Sequence, residues 1–209
     1  MSAQRADKEE ESPTNVEGVT ISEGLDIVDA LDLKLLNDRI VVINDDIDPW
    51  IAGKLTRIFQ VLAVKQTPIT ILISSNGGEL DAGSTILRAM QHASSQGCKL
   101  VGEVRGYAMS MAAVILQHCD KRFAAPDDVI MVHGPTGSTF GSIRHQDEDA
   151  KLMKRAMSSW AHFLAERNTS TDSRYKDKDF WYGWLMDNLP HYFLGHEALE
   201  AGLIDEVIL

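Results

Sequence analysis

The stretch Gly106-Tyr107-Ala108-Met109-Ser110-Met111-Ala112-Ala113 is a turn of small residues between two apolar runs, and the rest of the chain is organised around it. A strand-like run, residues 99–104, precedes this turn, and an apolar run, residues 111–116, follows it. A serine at a strand-to-helix turn can hold its hydroxyl exposed, while the first N–H groups of the helix point at the group that the hydroxyl attacks. Ser110 is therefore a candidate nucleophile, with simple packing at a helix start as the alternative.

The composition is typical of a soluble globular protein and argues against several classes of partner. Hydrophobic residues make up 44% and charged residues 24%, and the net charge is -11. Because nucleic-acid binders concentrate Lys and Arg, this acidic balance disfavours a nucleic-acid partner. Cys98 and Cys119 form no disulfide framework, the histidines lack metal-ligand spacing, and no apolar run predicts a membrane span. We expect a cytoplasmic protein without a metal or another cofactor.

Alternating apolar runs predict an α/β domain over residues 19–209, after a flexible, acidic arm at residues 1–18. The predicted strands are residues 40–43, 69–74, 98–104, 123–125 and 129–132. The predicted helices are residues 49–64, 82–96, 110–119, 180–186 and 196–202. Strands that alternate with helices form right-handed βαβ units, whose ligand sites lie at the carboxyl ends of the strands.

The chain changes character after residue 133. Residues 134–141 are rich in glycine, and residues 142–167 form a long, charged pattern with one apolar side, which predicts an amphipathic helix. A helix of this length can project from a compact domain as a contact arm for another subunit. Packing on its own sheet is the alternative. We refer to residues 134–167 as the handle.

Ser110 needs a base and oxyanion donors, because serine is a poor nucleophile at neutral pH. His133 ends a strand-like run that follows the Ser110 turn, so we expect it at the same edge of the sheet. Gly77 and Gly78 form a second turn, where a backbone N–H can approach a carbonyl oxygen closely. Together with the N–H of Met111 they predict a two-donor oxyanion hole. A core histidine and an ordinary glycine turn are the alternatives.

Four motifs, in this order, resemble the ClpP family, the proteolytic subunit of the ATP-dependent Clp protease: residues 72–83 (LISSNGGELDAG), 106–112 (GYAMSMA), 130–135 (IMVHGP) and 197–205 (EALEAGLID). The resemblance covers roughly residues 35–209. It implies a crotonase-like fold, an α/β superhelix of ββα units with a projecting handle, and a Ser-His-Asp serine endopeptidase. It also implies two stacked heptameric rings, fed with unfolded protein by an AAA+ unfoldase such as ClpX or ClpA, which uses the ATP.

By this resemblance Ser110 takes the place of the nucleophile and His133 that of the base, while Gly78 and Met111 supply the oxyanion N–H groups. The third member of the triad is where the chain departs from the family. The family's aspartate position falls on Pro190 or His191, and neither side chain can hold an imidazolium as a carboxylate does. The nearest upstream acid is Asp187, which we take as the candidate third member.

Two other functions and one other catalytic mechanism compete with a Ser-His peptidase. A ring-forming scaffold subunit with weak or no catalysis would explain the departure at the aspartate position. An acyl-CoA hydratase or isomerase of the crotonase fold would share the glycine-turn oxyanion hole but would leave Ser110 without a task. A Ser-Lys dyad would need Lys99 or Lys121, which stand in polar contexts that do not depress the pKa of an ammonium group.

Overall fold

The structure, a computed structural model, describes residues 15–16, 19–20, 27–137, 140–187 and 189–209. Backbone contacts divide the chain into two compact units, Met1–Arg39 and Ile40–Leu209. The first unit contains an antiparallel pair, β1 (Asn15–Val16) and β2 (Val19–Thr20), and helix α1 (Ile27–Asn37). The predicted arm at residues 1–18 lies outside the described residues except for β1.

In the second unit, strands and helices alternate as the sequence predicts. The strands are β3 (Ile40–Ile43), β4 (Ile69–Ser75), β5 (Leu100–Met109), β6 (Lys121–Ala124), β7 (Val129–Val132), β8 (His191–Leu194) and β9 (Glu206–Val207). The helices are α2 (Pro49–Leu62), α3 (Leu80–Ser95), α4 (Met111–Gln117), α5 (Ile143–Glu166), α6 (Lys178–Met186) and α7 (Gly195–Glu200), with a 3₁₀ turn at Ser173–Lys176.

The described strands of the second unit form one seven-stranded, mostly parallel sheet with a branch at β5. The main path runs β3-β4-β5-β6-β9, and all its pairs are parallel. The first half of β5 pairs with β6, whereas its last three residues pair in parallel with β7, which in turn pairs antiparallel with β8. The branch therefore lies directly beside the turn that follows β5.

Strand β4 alternates between fully buried and partly buried residues. Ile69, Ile71 and Ile73 share one face of the sheet and are fully buried, because successive side chains of a strand point to opposite faces. Helix α2 buries an apolar side that includes Leu55 and Phe59, and Asp48 caps its first turn by accepting a hydrogen bond from the N–H of Ile51. This core fixes the carboxyl ends of β4 and β5, where the candidate site residues lie.

The long helix of the handle is confirmed as α5, with Ser142 as its N-cap and Arg167 as its C-cap. Its buried residues, Met157, Ala161 and Leu164, all lie in its C-terminal half. The N-terminal half is exposed and carries charged residues. Within the described part of the chain, no helix combines the length and the apolar character that crossing a bilayer requires.

Two strands of this unit are absent from the sequence prediction, and one is longer than predicted. Strand β5 continues past residue 104 to Met109, because β7 pairs with its last residues. Strands β8 and β9 have only four and two residues, and each is an extended segment held by pairing with β7 or β6. Such short strands carry little periodicity of their own, so neighbouring strands define them.

Candidate active site

Ser110 stands alone in the turn between β5 and α4, as the sequence predicts. Its backbone has φ 54° and ψ -121°, a left-handed conformation that is costly for any residue other than glycine. The N–H of Ser110 donates to the carbonyl oxygen of Met131 in β7 at 2.9 Å, which ties the turn to the branch of the sheet. This strained geometry is that of a nucleophile held on a sharp strand-to-helix turn.

The structure brings the side chains of Ser110 and His133 together. Their Oγ and Nε2 atoms lie 2.8 Å apart, within hydrogen-bond distance. The sheet register accounts for the meeting, because Met109 at the end of β5 pairs with Met131 of β7, and His133 follows two residues later. Two residues 23 positions apart in the sequence therefore share one hydrogen bond.

The surroundings of His133 favour its neutral form. Burial lowers the pKa of the imidazole, and a hydrogen bond with the Gly134 backbone only partly opposes this effect. The net pKa lies below the ordinary value of 6.5, so the ring is neutral at neutral pH. A neutral Nε2 with a proton on Nδ1 can accept the proton of the Ser110 hydroxyl.

The glycine turn lies against Ser110, and Gly78 lines the same cleft as Ser110. Gly77 has φ 96°, and a Cβ there would lie 2.8 Å from the Cβ of Ser110 and 2.9 Å from the Met111 nitrogen. The N–H of Gly77 already donates to Ser75 Oγ at 3.1 Å. Among the described residues, the N–H of Gly78 meets no acceptor, and Met111 opens α4, where helix N–H groups lack intrahelical partners.

These groups line one cleft of about 640 Å³. Its lining includes Gly78, Ser110, Met111 and His133. Helix α5 also contributes to the lining, with Met153, Ala156 and Trp160. An extended peptide that lies in this cleft can present a carbonyl to Ser110 and an apolar side chain to α5. Among the described residues, no group of three or more His, Cys, Asp or Glu side chains is arranged to hold a metal ion.

The structure does not bring Asp187 to His133. Asp187 is the C-cap of α6, and its carboxylate accepts hydrogen bonds from His191 Nε2 at 3.0 Å and from the N–H of Leu189 at 2.8 Å. The ladder between β7 and β8 pairs Val132 with His191.

Continued by one residue, this register sets Pro190 opposite His133. Proline carries no carboxylate, so the residue opposite His133 cannot orient the imidazole as the aspartate of a triad does. Among the described residues, no carboxylate hydrogen-bonds to the ring of His133. The sequence already indicated this missing carboxylate, because Pro190 and His191 stand at the family's aspartate position. The prediction that Asp187 serves as the third member of the triad is wrong, since its carboxylate contacts Leu189 and His191.

The lysines of the Ser-Lys alternative lie elsewhere. Lys99 precedes β5 and forms an ion pair with Asp120 at 2.9 Å. Lys121 begins β6 and pairs with Val101, near the end of β5 that is remote from Ser110. Neither ammonium group lines the cleft. The geometry therefore gives no support to a Ser-Lys dyad.

Comparisons with known proteins agree with the resemblance seen in the sequence. The model of the Clp protease family matches residues 21–209. The chain is 31% identical over 185 residues to ATP-dependent Clp protease proteolytic subunit 2 of Corynebacterium glutamicum, covering 84% of each chain. It is 30% identical over 197 residues to proteolytic subunit 1 of Mycobacterium tuberculosis, covering 90% of each. The predicted α/β fold of this family is confirmed, and the chain belongs to the Clp protease family.

Proposed function

We propose that this chain is the serine endopeptidase subunit of a compartmentalised, ATP-dependent protease that hydrolyses unfolded proteins. The observation that carries the proposal is the 2.8 Å hydrogen bond between Ser110 Oγ and His133 Nε2 at a strained strand-to-helix turn. Family membership and relatives named as proteolytic subunits support the same reaction class.

The residues of the cleft suit acyl transfer through a covalent intermediate. His133 Nε2 accepts the hydroxyl proton while Ser110 Oγ attacks the peptide carbonyl carbon. The oxyanion that forms accepts hydrogen bonds from the N–H groups of Gly78 and Met111. His133 then gives its proton to the leaving amine, which leaves an acyl-enzyme. Water attacks this ester with His133 again as the base, and the acid product departs from a regenerated Ser110.

Because no carboxylate of the described residues hydrogen-bonds to His133, we expect weaker catalysis than that of a complete triad. In a complete triad the acid fixes the tautomer and stabilises the imidazolium, and replacing it by an amide costs about 10⁴ in kcat in the best-studied case. Here His133 has hydrogen bonds with the hydroxyl of Ser110 and the backbone of Gly134. We expect measurable turnover that is slower than that of a triad enzyme, because the oxyanion donors and the base are retained.

Assembly into two stacked heptameric rings is part of the proposal. The N-terminal half of α5 is exposed, and beside its start Phe140 and Ile143 are 85% and 87% exposed. Large apolar side chains at such exposure are typical of surfaces that associate. An AAA+ unfoldase of the ClpX or ClpA type would use ATP and deliver unfolded chains to the enclosed chamber in the cytoplasm. The subunit itself would need no cofactor.

The test is hydrolysis of a fluorogenic peptide by the purified full-length chain. Ser110→Ala and His133→Ala should each abolish turnover, whereas Ser94→Ala and His92→Ala, at exposed positions of α3, should leave it unchanged. Full activity of the Ser110→Ala variant would exclude Ser110 as the nucleophile.

A second candidate function, a scaffold subunit with weak or no catalysis, is favoured by Pro190 at the position opposite His133. Assembly of the wild type into rings without any hydrolysis of unfolded protein or peptide would support the scaffold. Turnover that is lost in His133→Ala would exclude it.

A further inference from the structure

The two neighbours of His133 in the chain are both held by one short segment, residues 185–191. Val132, on one side, pairs with His191 in the ladder between β7 and β8. Gly134, on the other side, is buried and packs so closely against the end of α6 that a Cβ would collide with the carbonyl oxygen of Leu185. The backbone that carries His133 is therefore fixed from both ends by the same segment.

The segment also lies beside His133. Leu185 is 1% exposed and lines, with Ser110, His133, Trp160 and Leu164, a void of only about 10 Å³. This void is at the lower limit for one water molecule, so there is little space between Leu185 and the base on this side, whereas the other side of His133 faces the cleft. A shift of the last turn of α6 would therefore change the packing beside His133.

The ends of this segment are joined by a pair of side chains that the proposed mechanism does not use. Asp187 Oδ2 lies 3.0 Å from His191 Nε2. Asp187 also caps the turn through the N–H of Leu189, and the His191 ring stacks on Trp184 with 4.1 Å between centroids and 9° between planes. The His191 side chain is only 20% exposed. The contact between Asp187 and His191 thus links the end of α6 to the start of β8, the two elements that hold the neighbours of His133.

We propose that Asp187 and His191 are a positioning pair that holds His133 toward Ser110, in place of an orienting carboxylate, which the described residues do not supply. The inference rests on the proposed peptidase function. An orienting acid restrains the imidazole directly, by a hydrogen bond to Nδ1. Here the restraint acts through the backbone on both sides of His133 and through Leu185, and it depends on the bond between Asp187 and His191.

The test compares steady-state peptide hydrolysis by the full-length wild type with that of Asp187→Ala, His191→Ala and the double variant. Each single change should lower kcat about tenfold with KM unchanged, because a displaced base slows the chemical step and not binding. The double variant should be no slower than either single variant, because one bond is lost in all three. His191→Gln, whose amide nitrogen can still donate to Asp187, should recover most of kcat. His196→Ala, at an exposed position of α7, is the control and should match the wild type.

Crystal structures of the wild type and of His191→Ala give a readout that is independent of activity. The distance from Ser110 Oγ to His133 Nε2 should lengthen beyond about 3.5 Å in the variant. An unchanged distance overturns the positioning role, and so does an unchanged kcat in an active enzyme. If the wild type hydrolyses nothing, the proposed function fails, and the crystallographic distance alone still decides whether the pair positions His133.

Discussion

Ser110 adopts a backbone conformation, φ 54° and ψ -121°, that glycine tolerates at lower cost than any residue with a Cβ. Strain of this kind costs about 1–3 kcal/mol and persists where the surrounding structure enforces it. We expect the free energy of unfolding of Ser110→Gly to be roughly 1 kcal/mol higher than that of Ser110→Ala. Both variants lose the hydroxyl, but only glycine relieves the strain. Chemical denaturation of the two variants measures the difference. A more stable alanine variant would contradict the assigned conformation.

The pKa of His133 determines how the activity depends on pH. The base must be neutral to accept the proton of Ser110, and burial holds its pKa below 6.5. The acidic limb of the activity profile should therefore have its midpoint at the pKa of His133, below 6.5. A profile of kcat/KM against pH measures the midpoint. An acidic limb centred above 6.5 would indicate a carboxylate beside the ring.

At this scale the sequence predicted the pairing of Ser110 with His133 but not the contacts of Asp187. The first follows from topology, because both residues end adjacent parallel strands. The second depends on where Asp187 and His191 lie after the predicted helix at residues 180–186, and there the sequence offers no periodic pattern. Gly77 was predicted together with Gly78 as an oxyanion donor, yet its N–H donates to Ser75 Oγ. No sequence pattern predicts this contact.

Among the elements, the C-terminal strand β9 is held to the core by a buried ion pair. Arg122 of β6 is 1% exposed and donates to both oxygens of Asp205, from Nη2 at 2.7 Å and from Nε at 3.1 Å. Arg122 also donates to Gln117 at the end of α4. The pair thus connects the helix that follows Ser110 with the last strand of the sheet.

Asp205→Asn should destabilise the fold by about 3 kcal/mol, because it leaves the Arg122 guanidinium buried without its counter-charge. Urea unfolding at neutral pH measures the loss. Asp172→Asn is the matched control, since Asp172 bonds to an exposed Arg174 and such pairs contribute little. Equal stability of the two variants would contradict a structural role for Asp205.

The same carboxylate makes the fold sensitive to acid. Burial pushes the pKa of Asp205 up, but hydrogen bonds from Arg122 outweigh this effect and leave the pKa below 3.8. The folded state then binds fewer protons than the unfolded state, so this contribution is complete above pH 3.8 and is lost as the pH falls through the lowered pKa. The stability gap between the wild type and Asp205→Asn should close in that range. A gap that stays constant down to pH 2 would contradict this linkage.

The helices and strands with a strong apolar periodicity were predicted from the sequence, whereas short strands without such a pattern were not. Helix α2 and strand β4 carry complete apolar patterns, and their predicted bounds agree with the structure within two residues. Strand β8 follows a proline and exposes Tyr192 and Leu194, so its sequence resembles a loop, and only pairing with β7 makes it a strand. Because pairing of β8 with β7 sets Pro190 opposite His133, a sequence prediction without β8 could not place the residue that faces the base.

For the whole molecule, the proposed rings depend on the exposed part of α5. Ile143 is 87% exposed at the first position of that helix and does not line the cleft. Ile143→Asp should shift the assembly toward smaller species, because burying an unpaired carboxylate in an apolar contact is unfavourable. Light scattering coupled to size-exclusion chromatography measures the masses. Thr85→Asp, at an exposed position of α3, is the control. An unchanged mass in Ile143→Asp would show that the contact lies elsewhere.

The central claim, that the hydroxyl of Ser110 is activated by His133, is tested most directly with a fluorophosphonate, which reacts with an activated serine without any need for substrate specificity. Mass spectrometry of the digested wild-type chain should find one adduct on Ser110. His133→Ala should slow its formation at least about a hundredfold, because the general base is gone. An unlabelled wild type, or labelling of Ser110 at the same rate without His133, would contradict the account.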